Sequence, residues 1–314
     1  MRLSAVLAAL GLVVAGAAHA DEAFVTNQSS DDLSVLDLAT GQSVATIPIG
    51  GRPAGVAVTP DGARAFVTSP EGKKLSIIDT VGRAVLAQVP VEGGPLGVAV
   101  HPSGKPVFVA DWYNHKIHVV DPDAKKVTAE IGVGLSPSGL AVTPDGKVLL
   151  SADRDSNEVS VVDLATQKRI ARIKVGERPF GVTIAADGKR AYTANVASND
   201  VSVIDLEARK TIAAVPVGER PYAVALAGGR AFVTNQYGNS VTVFDAATLR
   251  KIQDIPVGDY PEGIEASKNG ADVYVSNWFS NTLTRIDVAT LKVTQELKTG
   301  DGPRAFGVFI RKTP

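Results

Sequence analysis

Short apolar runs follow one another along almost the whole chain, with polar residues and turn formers between them. Stretches such as Val159-Ser160-Val161-Val162-Asp163 and Gly55-Val56-Ala57-Val58-Thr59 alternate or stay apolar over a few residues and are rich in β-branched side chains. That pattern fits half-buried or fully buried strands and is too short for a helical stripe. Turn chemistry recurs between them, as Pro60-Asp61-Gly62, Pro102-Ser103-Gly104, Pro144-Asp145-Gly146 and Ala186-Asp187-Gly188. The chain is therefore predicted to be all-β.

One phrase returns seven times: a strand led by an aromatic residue or Leu, a polar loop, a strand ending in Asp, another strand, then Pro-x-Gly. The Pro stands at Pro53, Pro95, Pro137, Pro179, Pro221, Pro261 and Pro303, spaced by 42 residues except for one interval of 40. The strand-ending Asp keeps the same register from Asp37 to Asp287, and the aromatic position runs Phe24, Phe66, Phe108, Leu150, Tyr192, Phe232, Tyr274. A period near 42 residues with four short strands is the size of one propeller blade. Small residues in the Pro-x-Gly strand suit a crowded centre, so that strand is predicted innermost.

A solenoid is the competing architecture, and the ends discriminate. After residue 20 the chain starts on the second strand of a unit, and the missing first strand is found only around Arg304 to Ile310. An open stack would need polar caps, whereas a shared blade closes the ring and removes exposed edges. The prediction is a single seven-bladed β-propeller over 21–314, four antiparallel strands per blade, closed by the C-terminal strand completing the N-terminal blade.

Residues 1–20 read as a secretory leader. Arg2 precedes an apolar run from Ala5 to Ala18, and Ala18-His19-Ala20 offers a small-x-small cleavage site after Ala20. The run is short for a retained anchor, which needs about 20 apolar residues. The mature chain is expected to be a soluble periplasmic monomer, not inserted in the membrane.

Composition narrows the chemistry. The 314 residues contain no Cys, and the single Met is Met1, so thiolate and thioether ligands are absent from a mature chain. Lys plus Arg number 32 against 33 Asp plus Glu. Losing Arg2 leaves a formal charge of −2, which weighs against nucleic acid as a partner.

Phe24-Val25-Thr26-Asn27, Tyr192-Thr193-Ala194-Asn195, Phe232-Val233-Thr234-Asn235 and Tyr274-Val275-Ser276-Asn277 resemble the YVTN-repeat β-propeller family, of the periplasmic YncE-like kind. The resemblance covers almost all of 23–310. It departs at Ser69, Asp111 and Asp153, where the Asn is replaced, and in the last unit, Pro303-Arg304-Ala305-Phe306. It implies the propeller fold and leaves function open: relatives include periplasmic and surface-layer proteins, companions of quinone-cofactor alcohol oxidation and, more distantly, lactonases.

No nucleophile elbow, phosphate loop, zinc-protease or haem-attachment motif is present. Asp111, His115 and His118 carry donor types that suit zinc or copper, but His118 holds a strand position filled elsewhere by Ser34, Ser160 and Ser202, and His115 lies in a loop. No metal or other cofactor is assigned.

In a propeller, the loop before each innermost strand and the loop between the second and third strands open on one face. The first set carries Arg52, Arg178, Arg220, Tyr260, Phe180, Tyr222, Glu262 and Arg304; the second carries Asp111, Trp112, Tyr113, Asn114 and His115, then Arg154, Gln236, Tyr237, Trp278, Phe279 and Asn281. In a chain with 5% aromatic residues, both Trp fall in this set. Guanidinium groups and flat rings suit a partner protein or a small anionic or aromatic ligand; alternatively, the Arg residues pair with neighbouring acids and seal blades. The leading expectation is a non-catalytic binding propeller, in one version an accessory to a quinone-dependent oxidation system. The alternative is a lactonase-like hydrolase using Glu262 with Arg304, or Asp111 with His115.

Overall fold

The computed structural model describes residues 21–312; the expected leader lies outside the described residues. Residues 21–312 form seven sheets, each with four antiparallel strands, one of which gains a fifth strand at its inner edge. The first strands of successive sheets touch in a closed ring. Among the described residues the only helical element is the single turn Arg154–Ser156, and no helix is long and apolar enough to cross a membrane. We number the blades 1 to 7 from the N-terminus.

Burial follows position within the blade. In blade 5 the strands Pro179–Ile184, Arg190–Asn195, Asp200–Asp205 and Lys210–Pro216 run from axis to rim. The two middle strands are almost wholly buried because neighbouring blades cover both faces; the rim strand alternates exposed and covered positions. The aromatic-or-Leu position of every repeat is at most 3% exposed, and burying each such side chain stabilises by about 1.5–3 kcal/mol. Near the axis there is no room for bulk: a Cβ on Gly97 would collide with the Ser138 carbonyl of the next blade.

Two polar devices join the units. The Asp ending each third strand folds the following turn onto itself, as when Asp37 Oδ1 accepts from Ala39 N at 2.9 Å and Thr40 N at 2.8 Å. On the opposite face, the residue before each inner-strand Pro adopts positive φ in five blades with non-glycine residues: Arg52, Ser136, Arg178, Arg220 and Tyr260. Its N–H is held by a side chain of the preceding blade: Asp31 for Arg52 at 2.7 Å, Asn157 for Arg178 at 2.8 Å, Asn199 for Arg220 at 2.8 Å and Asn239 for Tyr260 at 3.0 Å. In blade 3 the linking side chain is His115, whose Nδ1 accepts from Ser136 N at 3.2 Å.

Closure occurs as expected, with a local departure. Pro303 bridges Asn27, and Ile310 and Arg311 pair with Ala23 and Glu22. In blade 7 the chain from Pro261 to Ala266 spans the same stretch of its partner strand, Asn277 to Val273, so the closing strand is two residues longer. The surplus bows into the channel, where Phe306–Val308 pairs in parallel with Gly55–Val58 of blade 2. Gly307 permits this at φ +129°, beside the Val56 carbonyl. Buried Glu265 accepts from Phe309 N at 2.6 Å and Ile310 N at 2.7 Å, compensating amides that the bow displaces from the regular ladder.

Candidate functional site

The loops expected to share a face do so, and their residues sort into an axial plug and an outer arc. Phe180, Tyr222 and Phe306 form the plug, with ring centroids 4.2 Å (Phe180–Tyr222), 5.0 Å (Phe180–Phe306) and 5.5 Å (Tyr222–Phe306) apart. Trp112 extends it, 6.0 Å from Phe180. Phe306 arrives there through the bow of the closing strand.

Arg304 and Glu262 lie beside the plug, not free at a mouth. Arg304 Nε is 2.6 Å from Glu262 Oε2, and its Nη2 donates to the Tyr222 hydroxyl. Gln236 Nε2 donates to Glu262 Oε1 at 2.9 Å. Glu262 is 1% exposed. Burial pushes its carboxyl above the ordinary carboxylate range, opposed by Arg304 and Gln236; burial likewise opposes charge on Arg304, but Glu262 and Tyr222 outweigh it and hold the guanidinium protonated. Removing either partner would strand a buried charge, typically a cost of about 3–5 kcal/mol. The pair is built to stay closed, with no open position for a substrate proton.

The outer arc occupies blades 6 and 7. Tyr237 and Tyr260 centroids are 5.8 Å apart, Tyr260 is 5.5 Å from Trp278 and 5.1 Å from Phe279, and Trp278 and Phe279 stack at 5.4 Å. Tyr237 is 51% and Phe279 67% exposed; Tyr113, across the face, is 69% exposed. The remaining arginines are mostly engaged. Arg52 pairs with Glu71 at 3.2 Å, Arg154 pairs with Asp155 at 2.7 Å and overlies Trp112, and Arg220 lies 4.5 Å over Tyr237. Arg178 is exposed.

Asp111, His115 and His118 do not converge. His118 Nε2 lies 3.2 Å from Asp111 Oδ2, while His115 turns to Ser136 of the next blade. The Asp111–His118 contact reproduces the link made elsewhere by Asn195 Nδ2 to Ser202 Oγ at 2.9 Å and Asn277 Nδ2 to Thr284 Oγ1 at 2.7 Å. Among the described residues no three His, Asp or Glu gather as a metal site.

Sequence reasoning missed Phe306, for which the irregular Pro303-Arg304-Ala305-Phe306 unit was the available sign; it placed Gln236 on this face, but nothing in the sequence marked it as the partner of Glu262. It also missed a cavity of about 560 Å³ below the plug, open to the face of the Pro-Asp-Gly turns. Val98, Leu140, Val182, Val224 and Ile264 wall it, Phe306 borders it, and Glu265 and Lys312 are its charged lining residues. These two pair at 3.0 Å.

Among solved structures the chain is similar to "Kuenenia stuttgartiensis Hydrazine Synthase", at 21% identity and TM-score 0.74, covering 81% of this chain and 88% of that one. It is also similar to a functionally unknown protein from Desulfotomaculum acetoxidans DSM 771, at 18% identity and TM-score 0.77, covering 91% of this chain and 99% of that one. At these identities the likeness concerns the fold alone. No curated protein matches. A family profile described as YNCE-like beta-propeller matches residues 12–101 and 140–312. With that match over most of its length and seven blades in its fold, the chain belongs to the YNCE-like beta-propeller family.

Proposed function

We propose that the protein is exported to the periplasm as a non-catalytic propeller that docks a partner protein through its loop-bearing face. The observation that carries this reading is the arc of Tyr237, Tyr260, Trp278 and Phe279, whose rings contact one another in series, with Tyr260 and Trp278 half-buried and Tyr237 and Phe279 open to solvent. Rings held rigid by their neighbours lose little entropy on binding, and buried aromatic anchors dominate interface energetics at about 2 kcal/mol or more each. A hydrolase reading has less support. It needs an accessible acid–base pair, whereas Glu262 is closed by Arg304 and Gln236, and Asp111 and His115 point to different partners. A small anionic ligand also draws less support, because most of the arginines are already engaged.

The test is chemical crosslinking of the mature protein in periplasmic extract, followed by identification and reconstitution of the captured protein. Trp278→Ala/Phe279→Ala is expected to weaken reconstituted binding at least about tenfold, near 1.4 kcal/mol, with thermal stability almost unchanged. Equal binding by the variant would refute this docking face. N-terminal sequencing of the exported protein should begin at Asp21; a retained Met1 in the exported fraction would refute leader cleavage.

A further inference from the structure

Resting on the docking-face reading, we infer that the arc receives an extended segment of the partner bearing Lys or Arg side chains. Charge sets the sign. Glu219, Asp259 and Asp301 stand exposed in successive loops around the arc, each just before the residue that precedes the inner-strand Pro. Among the described residues the carboxylates of Asp259 and Asp301 accept from neutral side-chain amides, Asn239 at 3.1 Å and Asn281 at 3.2 Å. Among the described residues none of the three carboxylates meets Lys or Arg within 4.0 Å. Of the nearby cations, Arg304 is locked to Glu262, whereas Arg220 lies over Tyr237 and keeps its charge. Three carboxylates without a cationic partner thus stand against one such guanidinium along the arc, a net negative charge beside electron-rich rings.

The rings already hold cations within the molecule. Arg220 sits 4.5 Å over Tyr237, and Arg304 is 5.6 Å from Trp278. A guanidinium or ammonium from outside would gain the same ring attraction plus a carboxylate. Extent favours an extended segment over a lone cation: the rings run in series from Tyr237 to Phe279 and the carboxylates recur in three successive loops, more than one cation can contact, whereas an extended chain presents a side chain to one side roughly every 7 Å.

The experiment titrates the full mature protein with a synthetic alternating Lys-Ser peptide, read by tryptophan fluorescence and calorimetry. An alternating Glu-Ser peptide and tetramethylammonium serve as comparison probes. The Lys-Ser peptide is expected to bind and the Glu-Ser peptide not to. Its affinity should fall at least about tenfold when salt rises from about 0.02 to about 0.2 M, as screening shortens the reach of the carboxylates. The triple variant Glu219→Gln/Asp259→Asn/Asp301→Asn should lose at least about tenfold with its melting temperature unchanged. Arg178→Ala should not weaken binding.

Four results would overturn the inference: no Lys-Ser binding up to about 1 mM, equal or tighter Glu-Ser binding, an unaffected triple variant, or displacement of the peptide by equimolar tetramethylammonium. The captured partner separates this failure from that of the docking face. Binding lost in Trp278→Ala/Phe279→Ala but kept in the triple variant overturns the basic segment alone. Binding kept in both overturns the docking face as well.

Discussion

Asp153 occupies the position where four other blades carry Asn27, Asn195, Asn235 and Asn277. It accepts from Ser160 Oγ, from Ser151 Oγ at 2.7 Å and from Gly134 N at 2.9 Å. Burial nevertheless pushes its carboxyl up from 3.8 to about 6, with the hydrogen bonds opposing. The folded state thus binds the proton more tightly than the unfolded chain, so this group's contribution to stability falls as pH rises from about 4 to about 6. A shift of that size corresponds to about 3 kcal/mol between protonation states. Blade 5 shows the uncharged solution: Asn195 donates to Ser202, and Gly176 N donates to the same hydroxyl at 3.1 Å. Asp153→Asn is expected to stabilise the protein at pH 7 by about 1–2 kcal/mol and to flatten the melting-temperature profile between about pH 4 and 6. A variant less stable than the parent at pH 7 would contradict this account.

At the scale of the element, the closing strand does what no other inner strand does. Its two extra residues carry Phe306 into the plug and leave Val308, 49% exposed, bordering the basal cavity. Gly307→Ala would force a side chain into φ +129° and against the Val56 carbonyl. The expected cost is at least about 1–3 kcal/mol, seen as a lower melting temperature and faster amide exchange at Phe309 and Ile310. An unchanged melting temperature would show that the bow is not tightly held.

How much was legible in the sequence follows from the same elements. Strand order and closure were readable because seven units had to bury equivalent faces, so Pro, Asp and aromatic markers kept one register. The loop residues could be assigned to one face, but not to layers. That Arg304 faces Glu262 and Tyr222 is a contact between distant units, and the position of Phe306 comes from a small insertion; periodicity shows neither. His115 resembled a metal donor until its register with Asp31, Asn157, Asn199, Asn239 and Asn281 was seen as a blade-to-blade link.

For the molecule as a whole, closure makes two unlike faces from one repeat. The face of the Pro-Asp-Gly turns opens on an apolar cavity, and the face that carries the arc is shut at the axis by Phe180, Tyr222 and Phe306. A large partner is therefore expected to meet the outer arc and not the channel. The most direct test places a photoreactive phenylalanine at Phe279 in one strain and at Val81, 74% exposed at the other face, in a second. Irradiation in living cells is predicted to yield one discrete adduct from position 279 and none from position 81. The same adduct from position 81, with none from 279, would contradict the assignment of the working face.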